Sequence, residues 1–206
     1  MRPLPLALLL TFLAGRSAGQ GAPAPAKGLT LGSQKSQPGE GCIQGSPGSQ
    51  FALFLPHKKP ARLSTVRSAS FFIDNNGTPT RPFRVHLYKA SSPTGEPGPD
   101  LFLQPVVVSA AQGGKWFTVD LRTYAIAAPQ EGFFVAMEWI GEGSEPGPGD
   151  AAPDMGQYQT LRPTFEFRES LTWSYTIGKG WNLLRLLNGE GRSYNAMIKA
   201  EVDMIK

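Results

Sequence analysis

From Phe51 onward the chain repeats one theme: short runs rich in β-branched and aromatic residues, separated by clusters of Gly, Pro, Asn and Asp. That is the pattern of an all-β sandwich or barrel. Several runs alternate with a period of two, as a strand with one buried face must. In 83–88, Phe83, Val85 and Leu87 take one face and Arg84, His86 and Tyr88 the other. In 116–121, Phe117, Val119 and Leu121 oppose Trp116, Thr118 and Asp120. In 194–202, Ala196, Ile198, Ala200 and Val202 oppose Asn195, Met197, Lys199 and Glu201, as in a closing antiparallel strand. The run from Phe133 to Ile140 is apolar on both faces except at Glu138, which predicts a central strand.

Together these patterns predict strands near 41–44, 50–55, 62–74, 82–90, 101–109, 115–121, 132–140, 159–168, 171–178, 181–187 and 194–202. Stretch 62–74 joins a basic, Ser-rich half to an apolar half and is expected to bend or change sheets at a bulge. Asp74-Asn75-Asn76-Gly77 supplies residues that tolerate positive φ and is the strongest hairpin signal in the chain. The Pro/Gly stretches at 92–99 and 141–156 read as long loops. Helical periodicity beyond a turn or two and internal repeats of fixed period are both absent from the sequence.

The first residues change the picture of location. Met1-Arg2 is followed by an apolar run from Leu4 to Ala14, well short of the roughly 20 residues that a membrane-spanning helix needs. Small residues Ser17-Ala18-Gly19 come next, which fits a secretory signal peptide over 1–19, cut after Gly19. Residues 20–39 are rich in Gly, Pro, Ala, Ser and Gln and read as a flexible leader, so the folded domain is expected over 40–206. A secreted protein follows from this, whether periplasmic, cell-surface or extracellular, without a transmembrane segment. Cys42 is the one cysteine of the 206 residues, so no internal disulfide can form and the core must supply the stability.

The formal charge of +4 falls to +2 once Arg2 and Arg16 leave with the signal, too little to indicate nucleic acid. Basic residues concentrate in 57–90 and acidic ones in 91–170, blocks that cancel if the strands interleave.

The order of segments carries a resemblance. Phe83-Arg84-Val85-His86-Leu87-Tyr88 is followed by Gly95-Glu96-Pro97-Gly98-Pro99-Asp100-Leu101, by Lys115-Trp116-Phe117-Thr118-Val119-Asp120-Leu121, and by Gly132 through Ile140. This succession resembles the jelly-roll segment of secreted bacterial proteins that is often attached to a carboxypeptidase-like regulatory domain. The match covers about 83–140, with a fainter echo in 193–198. It implies an antiparallel jelly-roll β-sandwich in a single domain, residues of architectural rather than catalytic character, and no established activity. The chain has no room for a regulatory domain ahead of that segment.

Candidate chemistry divides into two kinds. Sandwich-shaped glycosidases set two carboxylates across a concave face, and Glu138 with Glu166 is the pair available here, Asp120 being a third acid. Burial of Glu138 among apolar neighbours would raise its pKa, as an acid catalyst requires, unless an Arg such as Arg84 pairs with it. The binding alternative uses aromatics, whose flat apolar faces and polar edges stack on sugars. Trp173 and Tyr175 fall on one strand face, and Trp181 follows across the short turn Gly178-Lys179-Gly180, so the three can form a platform. Arg84, His86 and Tyr88 form a second candidate face, near Trp116 and Asp120 if those strands pair.

Two histidines and one cysteine without paired spacing give no zinc motif, and no Gly-x-Ser-x-Gly elbow occurs. No cofactor is expected. Structural calcium would have to come from the acids of 142–154, which lack the spacing of a calcium loop.

The function read from the sequence is therefore a non-catalytic binding or adhesion module for an extracellular or envelope glycan, with a protein partner as a further option. A glycan hydrolase and a structural surface-assembly protein are the alternatives.

Overall fold

The computed structural model describes residues 28–34, 40–57, 62–91, 95–141 and 157–205. The expected signal peptide, most of the expected leader and the acids of 142–154 lie outside the described residues.

In chain order the strands are β1 (Gly28–Gly32), β2 (Gln50–Pro56), β3 (Arg62–Gly77), β4 (Phe83–Ala90), β5 (Pro97–Asp100), β6 (Val106–Val108), β7 (Lys115–Asp120) and β8 (Gly132–Trp139). They continue with β9 (Gln159–Leu161), β10 (Pro163–Thr164), β11 (Thr172–Thr176), β12 (Gly180–Leu183), β13 (Asn195–Ala196) and β14 (Ile198–Ile205). One sheet runs β1-β14-β3-β7, with β9 also on β3. The other runs β12-β11-β2-β8-β4-β5, with β6 also on β4. All of these pairs are antiparallel.

Both β5 and β6 pair with β4, so they act as one strand interrupted at 101–105. On that count the orders β1-β14-β3-β7 and β2-β8-β4-β5 are those of an eight-stranded jelly roll, two interlocked Greek keys closing on one core. The fold class expected from the sequence is thus the one observed. The β11–β12 hairpin belongs to an insertion between β8 and β14 and widens the second sheet beyond β2.

The alternation read in the sequence decides which face enters the core. Phe83, Val85 and Leu87 are buried between the sheets, as are Val119, Leu121, Ala196, Ile198, Ala200 and Val202. Phe83 joins the two sheets, edge-on to Phe71 of β3 at 5.4 Å and to Phe117 of β7 at 5.9 Å. The central position predicted for 133–140 is that of β8, held between β2 and β4. Trp139 at its end is fully buried and donates from Nε1 to the Gln159 carbonyl at 2.7 Å.

Two local expectations are corrected. Residues 28–32, assigned above to the leader, form β1, which pairs with β14 from Gly28↔Asp203 to Gly32↔Lys199. Leu31 is buried and Leu29 packs on the core, so the fold includes a strand well before Glu40. Second, Asp74 to Gly77 make no hairpin: β3 continues through them, and the chain then crosses to the other sheet. Asp74 is 2% exposed and pairs with Arg162 (Nη1 to Oδ2, 3.2 Å), while Gly77 pairs with Gln159 at φ 81°. A Cβ at Gly77 would lie 2.2 Å from the Tyr158 carbonyl oxygen, so glycine there answers to a close backbone approach rather than to a turn. The closing antiparallel strand expected over 194–202 corresponds to β13 and β14, and β14 is an inner strand because β1 takes the edge beside it.

Candidate functional site

The register of the second sheet brings the two candidate faces of the sequence reading onto one surface. Arg84 pairs with Glu138 and His86 with Ala136, while Gln50 is opposite both Glu138 and Tyr175, and Tyr175 is opposite Trp181. Because side chains two apart share a face, Arg84, His86, Tyr88, Glu138, Gln50, Trp173, Tyr175 and Trp181 all project from the outer side of this sheet.

Two alanines shape that surface. Ala52 of β2 and Ala136 of β8 are fully buried among Tyr88, Phe134, Trp173 and Trp181. Their small side chains leave room for Tyr88 to lie across the sheet. Its ring meets Trp181 edge-on at 5.6 Å, and its hydroxyl donates to Gln50 Oε1 at 2.6 Å. Trp181 in turn packs against Tyr175 at 5.3 Å, and Trp173 against Phe134 at 6.5 Å. Trp173, Tyr175 and Trp181 are half-buried: their inner edges pack, and their remaining surface stays in solvent.

Beside this platform stands a cluster of charges. His86 Nδ1 is 2.6 Å from Asp100 Oδ2, and its Nε2 is 2.7 Å from Glu138 Oε2. The same Glu138 oxygen accepts from Arg84 Nη1 at 2.8 Å. The His86 ring stacks on Tyr88 at 5.2 Å with planes 10° apart. Carboxylates accept and do not donate, so an imidazole held at both nitrogens is satisfied only as the cation. Burial presses His86 toward the neutral form, but the hydrogen bonds to Asp100 and Glu138, and the charge of both, raise its pKa above the ordinary 6.5. Burial also disfavours the Glu138 carboxylate, yet the His86 bond and the Arg84 charge prevail and lower its pKa below 4.5. The raised pKa expected of an acid catalyst at Glu138 is therefore not found, and the pairing with Arg84 is. Burial and the Asp100 charge raise the Tyr88 phenol, which keeps its proton and donates it.

The interruption between β5 and β6 opens a cleft next to this cluster. About 220 Å³ in volume, it is lined by Arg84, His86, Asp100, Phe102, Leu103, Gln104 and Pro105.

Glu166 lies beyond β10, where its Oε2 accepts from the Gln34 amide at 3.1 Å. The structure gives it and Glu138 separate neighbours. Trp116 and Asp120 sit on β7 in the other sheet, so the condition under which they would join the Arg84 face is not met. Asp120 is exposed and ion-paired with Arg122, and Trp116 carries the Lys199 ammonium 4.1 Å from its ring. Among the described residues, no group of three or more His, Cys, Asp or Glu is arranged to hold a metal ion. No helix among them is long and apolar enough to cross a membrane.

No protein-family model matches the sequence, and no curated protein is similar to it. The likeness is one of fold. A solved structure of Cwp84, a clostridial cysteine protease after propeptide cleavage, superposes with a TM-score of 0.54 at 13% identity, over 86% of this chain and 40% of that one. A second structure comprises the cysteine protease and lectin-like domains of Cwp84, a surface layer associated protein of Clostridium difficile. It gives a TM-score of 0.47 at 12% identity, over 77% and 33% of the two chains. The chain spans less than half the length of either.

Asp100 and Gln50 are the site residues that the sequence reading did not single out. Asp100 follows Pro97-Gly98-Pro99, which reads as a loop, and only the pairing Tyr88↔Asp100 brings it to His86. Asn195 was assigned to the polar side of its strand but is fully buried. Its Oδ1 accepts from the Leu171 and Thr172 amides at 2.7 and 2.9 Å and from the Thr172 hydroxyl at 3.1 Å, tying the start of β11 to the roll. No spacing rule in the sequence points to that bond.

Proposed function

We propose that the chain is a secreted, non-catalytic binding module that takes an extracellular or envelope glycan on the outer face of its seven-stranded sheet. One observation carries the reading: Trp173, Tyr175 and Trp181 stand half-exposed on one surface, continuous through Tyr88 with the Arg84–His86–Glu138–Asp100 cluster. Flat apolar rings beside oriented donors and acceptors match the apolar C–H face and hydroxyl rim of a sugar. The cluster balances two cations against two carboxylates, which favours a polar, uncharged ligand over a polyanion. Hydrogen bonds join Arg84, His86, Glu138 and Asp100 to one another, and that supports positioning rather than proton transfer. We likewise propose that residues 83–140 are akin to the jelly-roll segment of secreted bacterial proteins.

The test is binding of residues 20–206 to a panel of plant and envelope polysaccharides, with and without calcium, alongside the Trp173→Ala/Trp181→Ala double variant checked for folding. The expected result is binding to one sugar class, independent of calcium, that the variant loses by at least about tenfold. Absence of binding to every polysaccharide would remove the glycan reading and leave a protein partner or surface assembly.

A further inference from the structure

We propose that the cleft beside β4 is a second sugar subsite, so that the ligand is an oligosaccharide laid across the strands rather than a single terminal sugar. This rests on the glycan reading above and extends it.

Trp181, Tyr175, Gln50, Glu138 and Arg84 occupy one row across β12, β11, β2, β8 and β4. Four inter-strand steps of ~4.8 Å span roughly 19 Å, longer than two sugar rings end to end. The platform closes one end of the row and the cleft the other.

The cleft exists because the strand facing β4 is broken. β5 leaves the ladder after Asp100, and β6 rejoins it at Val106. Such interruptions re-aim side chains next to functional sites. Here Phe102 and Pro105 supply apolar wall, while Gln104, Asp100 and Arg84 supply polar groups, around a space of about 220 Å³. That is a ring-sized volume of mixed chemistry.

Arg84 joins the two regions: its Nη1 is committed to Glu138, and its side chain, 35% exposed, lines the cleft, where the accessible part of that side chain can meet a ligand hydroxyl.

The test uses residues 20–206 and cello-, xylo-, manno- and chito-oligosaccharides of one to six units, measured by calorimetric titration. Three proteins are compared: the parent, Trp181→Ala, and Gln104→Ala, the last altering an exposed wall residue that the fold does not need. For the recognised series, parent affinity is expected to climb through at least the trimer. Gln104→Ala should weaken the long oligomers about three- to tenfold while leaving the dimer unchanged, and Trp181→Ala should weaken all lengths. Should affinity level off at the dimer, or Gln104→Ala bind hexamers like the parent while Trp181→Ala fails, the cleft subsite falls and the platform stands. Failure of every series to bind the parent overturns both.

Discussion

His86 Nε2 and Glu138 Oε2 lie 2.7 Å apart, and the same carboxylate oxygen is 2.8 Å from Arg84 Nη1. One oxygen thus serves two cations on an adjacent strand, while Asp100 holds the far nitrogen of the imidazole. The groups facing His86 are Asp100 from β5, Glu138 from β8, and Arg84 and Tyr88 from β4 itself.

The cluster makes stability depend on pH in a defined window. His86 is raised above 6.5, so its contribution is complete below pH 6.5 and disappears as pH rises through the folded value. Glu138 is lowered below 4.5, so its contribution is complete above pH 4.5 and disappears as pH falls through the folded value. Urea midpoints from pH 4 to 9 should therefore be highest between about 4.5 and 6.5 for this cluster. His86→Gln should flatten the alkaline decline, and an unchanged alkaline slope in that variant would show that His86 is not its source.

The bonds of Asn195 anchor the platform. Asn195→Ala leaves the Leu171 and Thr172 amides without their acceptor, at about 1–3 kcal/mol for each buried unpaired group. A lowered urea midpoint is expected, with faster amide exchange at 171–175 than in β8. Uniform exchange across both strands would place the role of Asn195 elsewhere.

Gly45 presses on the indole that closes the core. An added Cβ would fall 2.5 Å from the Trp139 ring and 2.2 Å from Ser49 Oγ. Gly45→Ala should cost roughly 1–3 kcal/mol by overpacking, read as a drop in denaturation midpoint with unchanged m value. A neutral substitution would mean that the 45–49 loop yields freely.

β1 adds a strand to the first sheet ahead of Glu40. A chain started at Glu40 loses one of the two partners of β14 and exposes that strand as a hydrophobic edge. It should aggregate or unfold at a temperature where a chain started at Gln20 remains folded. Equal melting of the two would demote β1 to an ornament.

Alternation reported the inner face well: Phe83-Val85-Leu87 and Ala196-Ile198-Ala200-Val202 were read correctly because core-facing residues recur at every second position, although His86, Tyr88, Asn195 and Met197 between them are buried as well. The turn Gly178-Lys179-Gly180 was legible for a related reason, since its glycines at 178 and 180 adopt positive φ and set Tyr175 opposite Trp181. Local signals failed where long-range partners override them. Asp74-Asn75-Asn76-Gly77 has turn chemistry, but Arg162 and Gln159 hold it extended. Leu29 and Leu31 are too few to mark β1 within a Gly/Pro-rich stretch, although β14 pairs with it along its whole length. The merging of the two candidate faces was not visible either, because it depends on β2 standing between β11 and β8.

The central claim, that the outer face of the seven-stranded sheet binds glycan, is tested most directly by comparing Trp181→Ala with Trp116→Ala, whose indole lies on the other sheet. Titration of each folded variant with the polysaccharide bound by the parent is expected to show affinity lost by at least about tenfold in Trp181→Ala and kept in Trp116→Ala. Loss in Trp116→Ala with retention in Trp181→Ala would contradict the account.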